Sequence, residues 1–302
     1  MHCVKRRTKM ASRFTLPRST GAKSDSDQNW RSRGDASNNK PVQKEQQRTP
    51  CVPVDEKTET YEVKINLYDS EKFFKATKEQ HELLRYSNQS IYSITPWDQA
   101  EYTASLLMMF YTKDELKQKV ITDASACIGG NTWAFAEMTR HCIAVELNPL
   151  HSEMLKHNMK VLGFDKYITV YPETNYLDVK DTLKQDIVFL DPPWGGLNYC
   201  NKNQVPTLVY TSSQGTPVTL RELVCTGVLA YQDLIMVKLP FNAPDDILKG
   251  NNYPHYQKIP IVDNDDRVIY DIHILSKIKP KYKISAKKFN RIKVRSIVAE
   301  RV

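Results

Sequence analysis

The chain has no long apolar run. Across 302 residues the longest is the six-residue stretch 106–111, far short of the roughly 20 residues that a membrane-spanning helix needs, so no membrane partner is expected. None of the six cysteines (Cys3, Cys51, Cys127, Cys142, Cys200 and Cys225) is paired in a C-x-x-C spacing. No apolar leader core follows the start either. Free thiols in an intracellular, reducing compartment are therefore expected, not secretion. His141 beside Cys142, with His151 and His157 nearby, lacks the spacing of a ligand set, so no metal site is expected. Only 10 residues are Gly, which excludes a collagen-like chain, and no internal repeat is present. The 40% hydrophobic content excludes a wholly disordered chain and suffices for one sizeable core, or a core with a small accessory lobe.

What the chain does have is charge, unevenly placed. The formal net charge is +8, yet residues 1–57 hold 13 Lys and Arg against 6 Asp and Glu, and residues 277–302 hold 10 against one. Two basic ends therefore flank a body that is net acidic. The first 57 residues, rich in Ser, Thr, Asn, Gln and Arg, are expected to be disordered. They could serve nuclear targeting through Lys5, Arg6 and Arg7, phosphate binding or mitochondrial transit, or be a solvated tail. In the end segment, Tyr282, Ile284, Phe289, Ile292 and Val294 alternate among lysines, as in a strand beside a polyanion site. A nucleic-acid partner fits this better than a plain charged strand does.

From residue 120 onward short apolar runs alternate with amphipathic stretches, the pattern of an α/β sheet with crossover helices. Strands are expected over 120–124, 142–146, 168–171, 186–190, 234–239, 257–262 and 268–275. Helices are expected from Thr132, over 150–162 ending at Gly163, and over 220–228. The run 186–190 is the most apolar and is expected at the sheet centre. A hairpin through the Asp263 to Asp266 turn would add an antiparallel strand to an otherwise parallel sheet. Seven strands in this order suggest a Rossmann-like methyltransferase sheet instead of a dinucleotide dehydrogenase. Before it, an amphipathic helix over 70–85 and a second starting at Thr95-Pro96 form a lobe expected beside the first strand.

Two loops carry chemistry. The turn Asp123-Ala-Ser-Ala-Cys-Ile-Gly-Gly-Asn-Thr132 places Gly129 and Gly130 where backbone can approach a nucleotide-like cofactor, and Glu146 at the second strand end can accept from ribose hydroxyls. A tight corner and a solvated acid would look the same. More specific is Phe189-Leu-Asp191-Pro192-Pro193-Trp194-Gly195-Gly196, the form of loop used to methylate an exocyclic amine. Such an amine is a poor nucleophile because its lone pair is delocalised into the ring. Asp191 and the Pro192 carbonyl can accept its N–H bonds, which frees the lone pair toward a sulfonium methyl. The prolines fix φ and make the turn rigid, and Trp194 offers a face for the base, a contact of about 1–3 kcal/mol.

With these residues the chain resembles the trimethylguanosine synthases, RNA cap guanine-N2 methyltransferases that include versions carried by large DNA viruses. The resemblance covers about residues 93–275. It rests on Ser93-Ile-Thr-Pro96, Asp123 with Gly129-Gly130-Asn131-Thr132, Glu146-Leu-Asn148-Pro149, Asp191-Pro-Pro-Trp-Gly-Gly196 with Tyr199, and Leu239-Pro240-Phe241-Asn242. It implies an α/β, Rossmann-like class I methyltransferase fold with a seven-stranded, mostly parallel sheet and a small N-terminal helical lobe. It implies S-adenosyl-L-methionine as donor, capped RNA as partner, and a nuclear or viral/host cytoplasmic setting. Asp123, Gly129, Gly130 and Thr132 match positions around the methionine end of the donor, and Glu146 matches the ribose acid. Asn175 falls where the family has an Asp near the adenine. Trp194 matches the cap-stacking residue, and Tyr199 a residue near the cap phosphates. Asp191, counted with both catalytic and donor positions, stands where eukaryotic members often have Ser. Cys127 stands where Gly is common. Phe241 replaces a basic residue, so Lys238 or the basic end segment would have to meet the phosphates.

The expected organisation is a basic tail over 1–58, a helical lobe over 59–118, the methyltransferase domain over 119–279 and a basic segment over 280–302. Methyl transfer to N2 of a 7-methylguanosine cap is the function expected. Asp191 by itself also suits an adenine-N6 enzyme, while Cys127, Asn175 and Phe241 would suit a silent RNA-binding module.

Overall fold

The computed structural model describes residues 59–194, 209–225, 229, 232–244, 247–248, 252–282, 284, 287–289 and 299–302. The tail over 1–58, Gly195, Gly196 and Tyr199, the helix end 226–228, and Ile292 and Val294 lie outside the described residues.

The strands form as the alternation requires. The main sheet contains β3 (Val120–Asp123), β4 (His141–Glu146), β5 (Ile168–Pro172), β6 (Ile187–Leu190), β9 (Leu234–Pro240), β10 (His255–Asp263), β11 (Val268–Ser276) and β12 (Lys287–Phe289), in the order β12-β10-β11-β9-β6-β3-β4-β5. Strands β5, β4, β3, β6 and β9 run parallel, and β11 is antiparallel to both β9 and β10. The hairpin turn between β10 and β11 is held by Asp263, whose Oδ1 accepts from the backbone N–H groups of Asp265 (3.0 Å) and Arg267 (2.9 Å). Eight strands are present where seven were expected, because Lys287–Phe289 of the basic end segment adds a parallel edge strand beside β10.

Period-two alternation sorts the side chains onto two faces. Strand β6 is buried along its whole length: Ile187 and Phe189 join one apolar cluster and Val188 and Leu190 the other. This is the central position expected of its uniform hydrophobicity. On the first face lie α6 (Gly130–Met138) and α7 (Pro149–Val161), with Met154, Leu155 and Met159 buried beneath them; on the second lies α9 (Leu220–Cys225). A small hairpin, β7 (Val209–Thr211) and β8 (Pro217–Thr219), precedes α9 where the sequence suggested only a loop.

The lobe before the sheet departs from expectation. In place of one helix over 70–85 there are two short ones, α1 (Leu67–Ser70) and α2 (Lys78–Leu83). Local chemistry explains the break. Asn66 caps α1, and Thr77 with Gln80 forms a capping box that starts α2 anew. The turn between them also lets the adjacent Phe73 and Phe74 both pack on Tyr86, with ring centroids 6.0 and 6.3 Å away. Next come β2 (Tyr86–Ser87), α3 (Ser90–Ser93), α4 (Trp97–Ser105), which begins directly after Pro96, and α5 (Lys113–Leu116). The lobe is not purely helical. β1 (Glu62–Ile65) pairs with β2 on one side and with β13 (Ala299–Arg301), from the far end of the chain, on the other. Its buried residues, among them Leu106, Leu107 and Met109, belong to the same apolar cluster as α6 and the sheet face beneath it.

Candidate active site

Three adjacent parallel strands, in the order β6-β3-β4, bring Asp191, Asp123 and Glu146 to one sheet edge. Asp123 and Glu146 are the last residues of β3 and β4, and Asp191 is the first residue after β6. Carboxyl edges of parallel strands are where ligands bind in open α/β sheets.

Glu146 is held by backbone. Its Oε2 accepts from the Cys127 N–H (2.7 Å) and its Oε1 from the Asn148 N–H (2.8 Å). Each carboxylate oxygen has a second lone pair left for a ligand hydroxyl. Burial pushes its pKa above the usual range, and the backbone N–H bonds oppose that. Cys127 sits at φ +48°, a left-handed conformation that suits Gly better than Cys; its N–H bond to Glu146 helps hold it there. Asp123 is 1% exposed, and Thr132 Oγ1 donates to its Oδ2 at 2.7 Å. Its buried Oδ1 takes no full hydrogen bond from a described residue, although the Ser125 N–H faces the carboxyl. Burial first, then the charges of Asp191 and Glu146, push its pKa up to about 7 against the Thr132 hydroxyl and the Ser125 N–H. Three buried carboxyl groups at one edge, each with its pKa raised by burial, favour a positively charged ligand.

The loop after β6 is clasped from below. Ser125 Oγ donates to the Asp191 carbonyl (2.8 Å) and accepts from the Asp191 N–H (3.2 Å). Lys238, 6% exposed on β9, donates from Nζ to Asp191 Oδ2 (2.7 Å) and to Thr95 Oγ1 (2.9 Å). Burial raises the Asp191 pKa and the Lys238 ammonium opposes the rise. Asp191 Oδ1 takes no hydrogen bond from a described residue. Pro192 is buried, and Trp194 is half-buried with its ring 6.3 Å from that of Tyr270. The Lys238 ammonium stands over both rings, 5.2 Å from the Trp194 centroid and 4.9 Å from that of Tyr270.

The structure thus gathers Asp123, Thr132, Glu146, Asp191, Pro192, Trp194 and Lys238 around one edge, and several of these and the other expected site residues already have partners within the protein. Thr132 serves Asp123. The glycines are explained by packing within the protein: a Cβ on Gly129 (φ +105°) would lie 2.6 Å from Met159 Cε, and one on Gly130 would lie 2.7 Å from Ile94 Cγ1 and 2.9 Å from the Thr95 carbonyl oxygen. Asn175 already makes two hydrogen bonds within the protein. Its Oδ1 accepts from the Leu177 N–H (3.0 Å) as the cap of α8 (Tyr176–Val179), and its Nδ2 donates to the Thr211 carbonyl. Lys238 is buried and spends two of its three N–H donors on Asp191 and Thr95. Tyr199 is among the residues outside the description.

Sequence reasoning assigned no part to Ser125, Thr95, Asn131 or Tyr270. Asn131 Nδ2 donates to Thr95 Oγ1 at 3.0 Å, so a chain of polar contacts links the turn after β3 to Lys238 and Asp191. Thr95 and Asn131 stood within the strings that carried the resemblance, and that signal was available. Tyr270 on β11 had no local signal.

The parallel sheet with its antiparallel β11, and the acidic edge beside a Pro-Pro-Trp loop, define a Rossmann-like methyltransferase fold. Among the described residues no helix is long and apolar enough to cross a membrane, and no group of His, Cys, Asp and Glu could hold a metal ion. A family profile described as RNA cap guanine-N2 methyltransferase matches residues 118–292, more than half of the chain. The chain belongs to this family. It is 34% identical over 131 residues to uncharacterized protein L320 of Acanthamoeba polyphaga mimivirus (42% of this chain, 48% of the relative). It is 32% identical over 121 residues to the trimethylguanosine synthase of Schizosaccharomyces pombe (38% and 47%). The chain thus spans about half the length of these curated relatives. A solved rRNA methylase from Streptococcus thermophilus is 9% identical, with a TM-score of 0.39 over 60% of this chain and 95% of that one.

Proposed function

We propose that this protein transfers a methyl group from S-adenosyl-L-methionine to the exocyclic N2 amine of a 7-methylguanosine RNA cap. The observation that carries the reading is Asp191, whose Oδ1 is open while Oδ2 is pinned by Lys238, in a rigid loop next to the carboxylates of Asp123 and Glu146. Family membership supports the cap as substrate.

Bound there, S-adenosylmethionine supplies an electrophilic methyl on a sulfonium. Its positive sulfonium and ammonium groups are of the charge type that the acidic edge favours. Glu146 accepts from the ribose hydroxyls with the lone pairs its backbone bonds leave over. Asp123 offers its orphaned Oδ1 to the cationic amino-acid end. Asp191 Oδ1 and the Pro192 carbonyl accept N–H bonds of the target amine, which directs the lone pair outward and offsets charge growing on nitrogen. No dedicated base is required, because the alkylated nitrogen is strongly acidic and its proton passes to water. Trp194 stacks on the base, and a cationic 7-methyl ring gains more than a neutral one from the indole face. The lobe over 59–118, the domain over 119–279 and the basic segment over 280–302 are proposed to act as one unit, with the basic ends holding RNA phosphates.

The test is mass analysis of a 7-methylguanosine cap dinucleotide incubated with protein and donor, with adenine-containing RNA alongside. A gain of one or two methyl groups on guanine N2 is the expected result. Methylation of adenine alone, the reading Asp191 by itself would favour, defeats it. Absence of donor binding by calorimetry would leave the silent RNA-binding module.

A further inference from the structure

How such a loop distinguishes one amino-bearing base from another turns on Lys238. Its ammonium has three N–H donors. Two are spent, on Asp191 Oδ2 at 2.7 Å and Thr95 Oγ1 at 2.9 Å. The third meets no acceptor among the described residues, only the faces of Trp194 and Tyr270. The group is 6% exposed, so both its position and its unspent donor are set by the protein. A buried ammonium is costly unless every donor is used, and here the group with a donor to spare lies 5.2 Å from the Trp194 ring of the base-reading loop. Asp191 adds an Oδ1 that no described residue touches, and Oδ2 keeps a second lone pair beside its Lys238 bond.

Resting on the function proposed above, we propose that Lys238 is a specificity residue. Asp191 Oδ1, Asp191 Oδ2 and Lys238 Nζ present a row of acceptor, acceptor and donor, and this row complements the guanine edge of N2–H donor, N1–H donor and O6 acceptor. The fit is chemical as well as ordinal. The two oxygens of one carboxylate suit neighbouring N–H groups on a purine edge, and a 7-methylated guanine is cationic, which strengthens both donors toward a carboxylate. Adenine offers N6–H followed by N1, an acceptor, so N1 would face Oδ2 lone pair to lone pair and no carbonyl would reach Lys238. Sites that hydrogen-bond a polar substrate edge reject analogues lacking it, because their own buried groups are then left unpaired. Asp191 alone suits either base, and it is Lys238 that turns the pair toward guanine. Asn131, donating to Thr95 at 3.0 Å, holds the far end of the arrangement in place.

The test is a substitution in the ligand, which leaves the protein intact. Affinities of the wild type for a 7-methylguanosine cap dinucleotide and for its 6-thio counterpart, which keeps N2–H and N1–H but replaces O6 by a weak sulfur acceptor, are compared by calorimetry. About a tenfold weaker binding of the sulfur cap is expected, the loss of one charge-assisted hydrogen bond. In Lys238→Met the two caps should bind equally, at whatever absolute affinity the variant retains. Equal binding of both caps by the wild type overturns the proposal, and so does a sulfur penalty that persists in Lys238→Met. Should the variant not fold, the wild-type comparison decides alone. A wild type that binds the donor but neither cap overturns the function reading and this inference together, an outcome distinct from equal binding of two caps that do bind.

Discussion

Replacing Asp123 by Asn should make the protein more stable and a poorer binder of its donor, with both effects following from one buried carboxyl. Asp123 is 1% exposed and has an orphaned Oδ1, and its pKa is pushed up to about 7 from an unfolded value of about 3.9. The folded state therefore keeps a proton that the unfolded state has shed between those two values. Stability falls as pH rises across that window, by up to about 4 kcal/mol, and is level above and below it. Asn cannot ionise, and its oxygen can still accept from Thr132. Its amide nitrogen inherits the orphaned position, a cost of about 1–3 kcal/mol. At pH 8 the variant should thus gain about 1–3 kcal/mol, and the gain should vanish near pH 5. Urea unfolding of both proteins at pH 5, 6, 7 and 8 measures this, since contributions from other groups cancel in the difference. The gap should widen by about 1.4 kcal/mol per pH unit within the window. Parallel profiles, or a variant that is less stable at pH 8, would refute the reasoning. S-adenosylmethionine affinity, read by calorimetry, should fall in the variant at pH 8, where wild-type Asp123 carries its charge.

Trp194→Ala should weaken cap binding about ten- to hundredfold, the worth of one stacking contact, while donor affinity stays unchanged; equal loss of both would separate Trp194 from the base. Asn175→Ala should cost about 1 kcal/mol in urea unfolding as a lost helix cap and leave the donor Kd unaltered, and a large fall in donor affinity would restore Asn175 to the adenine. In Gly130→Ala the new methyl would meet the Thr95 carbonyl oxygen at 2.9 Å, a backbone atom with little room to yield. A loss of about 1–3 kcal/mol is expected, seen as a lower urea midpoint at unchanged slope, and full retention of stability would deny the close approach.

The sequence alone determined what depends on neighbours along the chain. Alternation and the uniform hydrophobicity of β6 placed the sheet and its centre; Pro96, Asn148-Pro149 and Gly163 marked helix ends within a residue or two. The Pro-Pro-Trp loop revealed its chemistry because rigidity and acceptor are built into consecutive residues. Tertiary structure decided whatever depends on pairs far apart. The 70–85 stretch looked like one helix by periodicity, and two local caps with a buried Phe73, Phe74 and Tyr86 cluster divided it. Strands β12 and β13 needed partners more than 20 and 230 residues away, respectively, which no local pattern encodes. The clearest example is Lys238. In the chain it is one more lysine near a supposed phosphate site; in the fold, strand order sets β9 beside β6 and brings its ammonium against Asp191, 47 residues distant. Charge is legible in a sequence, but its partner is a matter of distance, and distance is set only when the sheet closes.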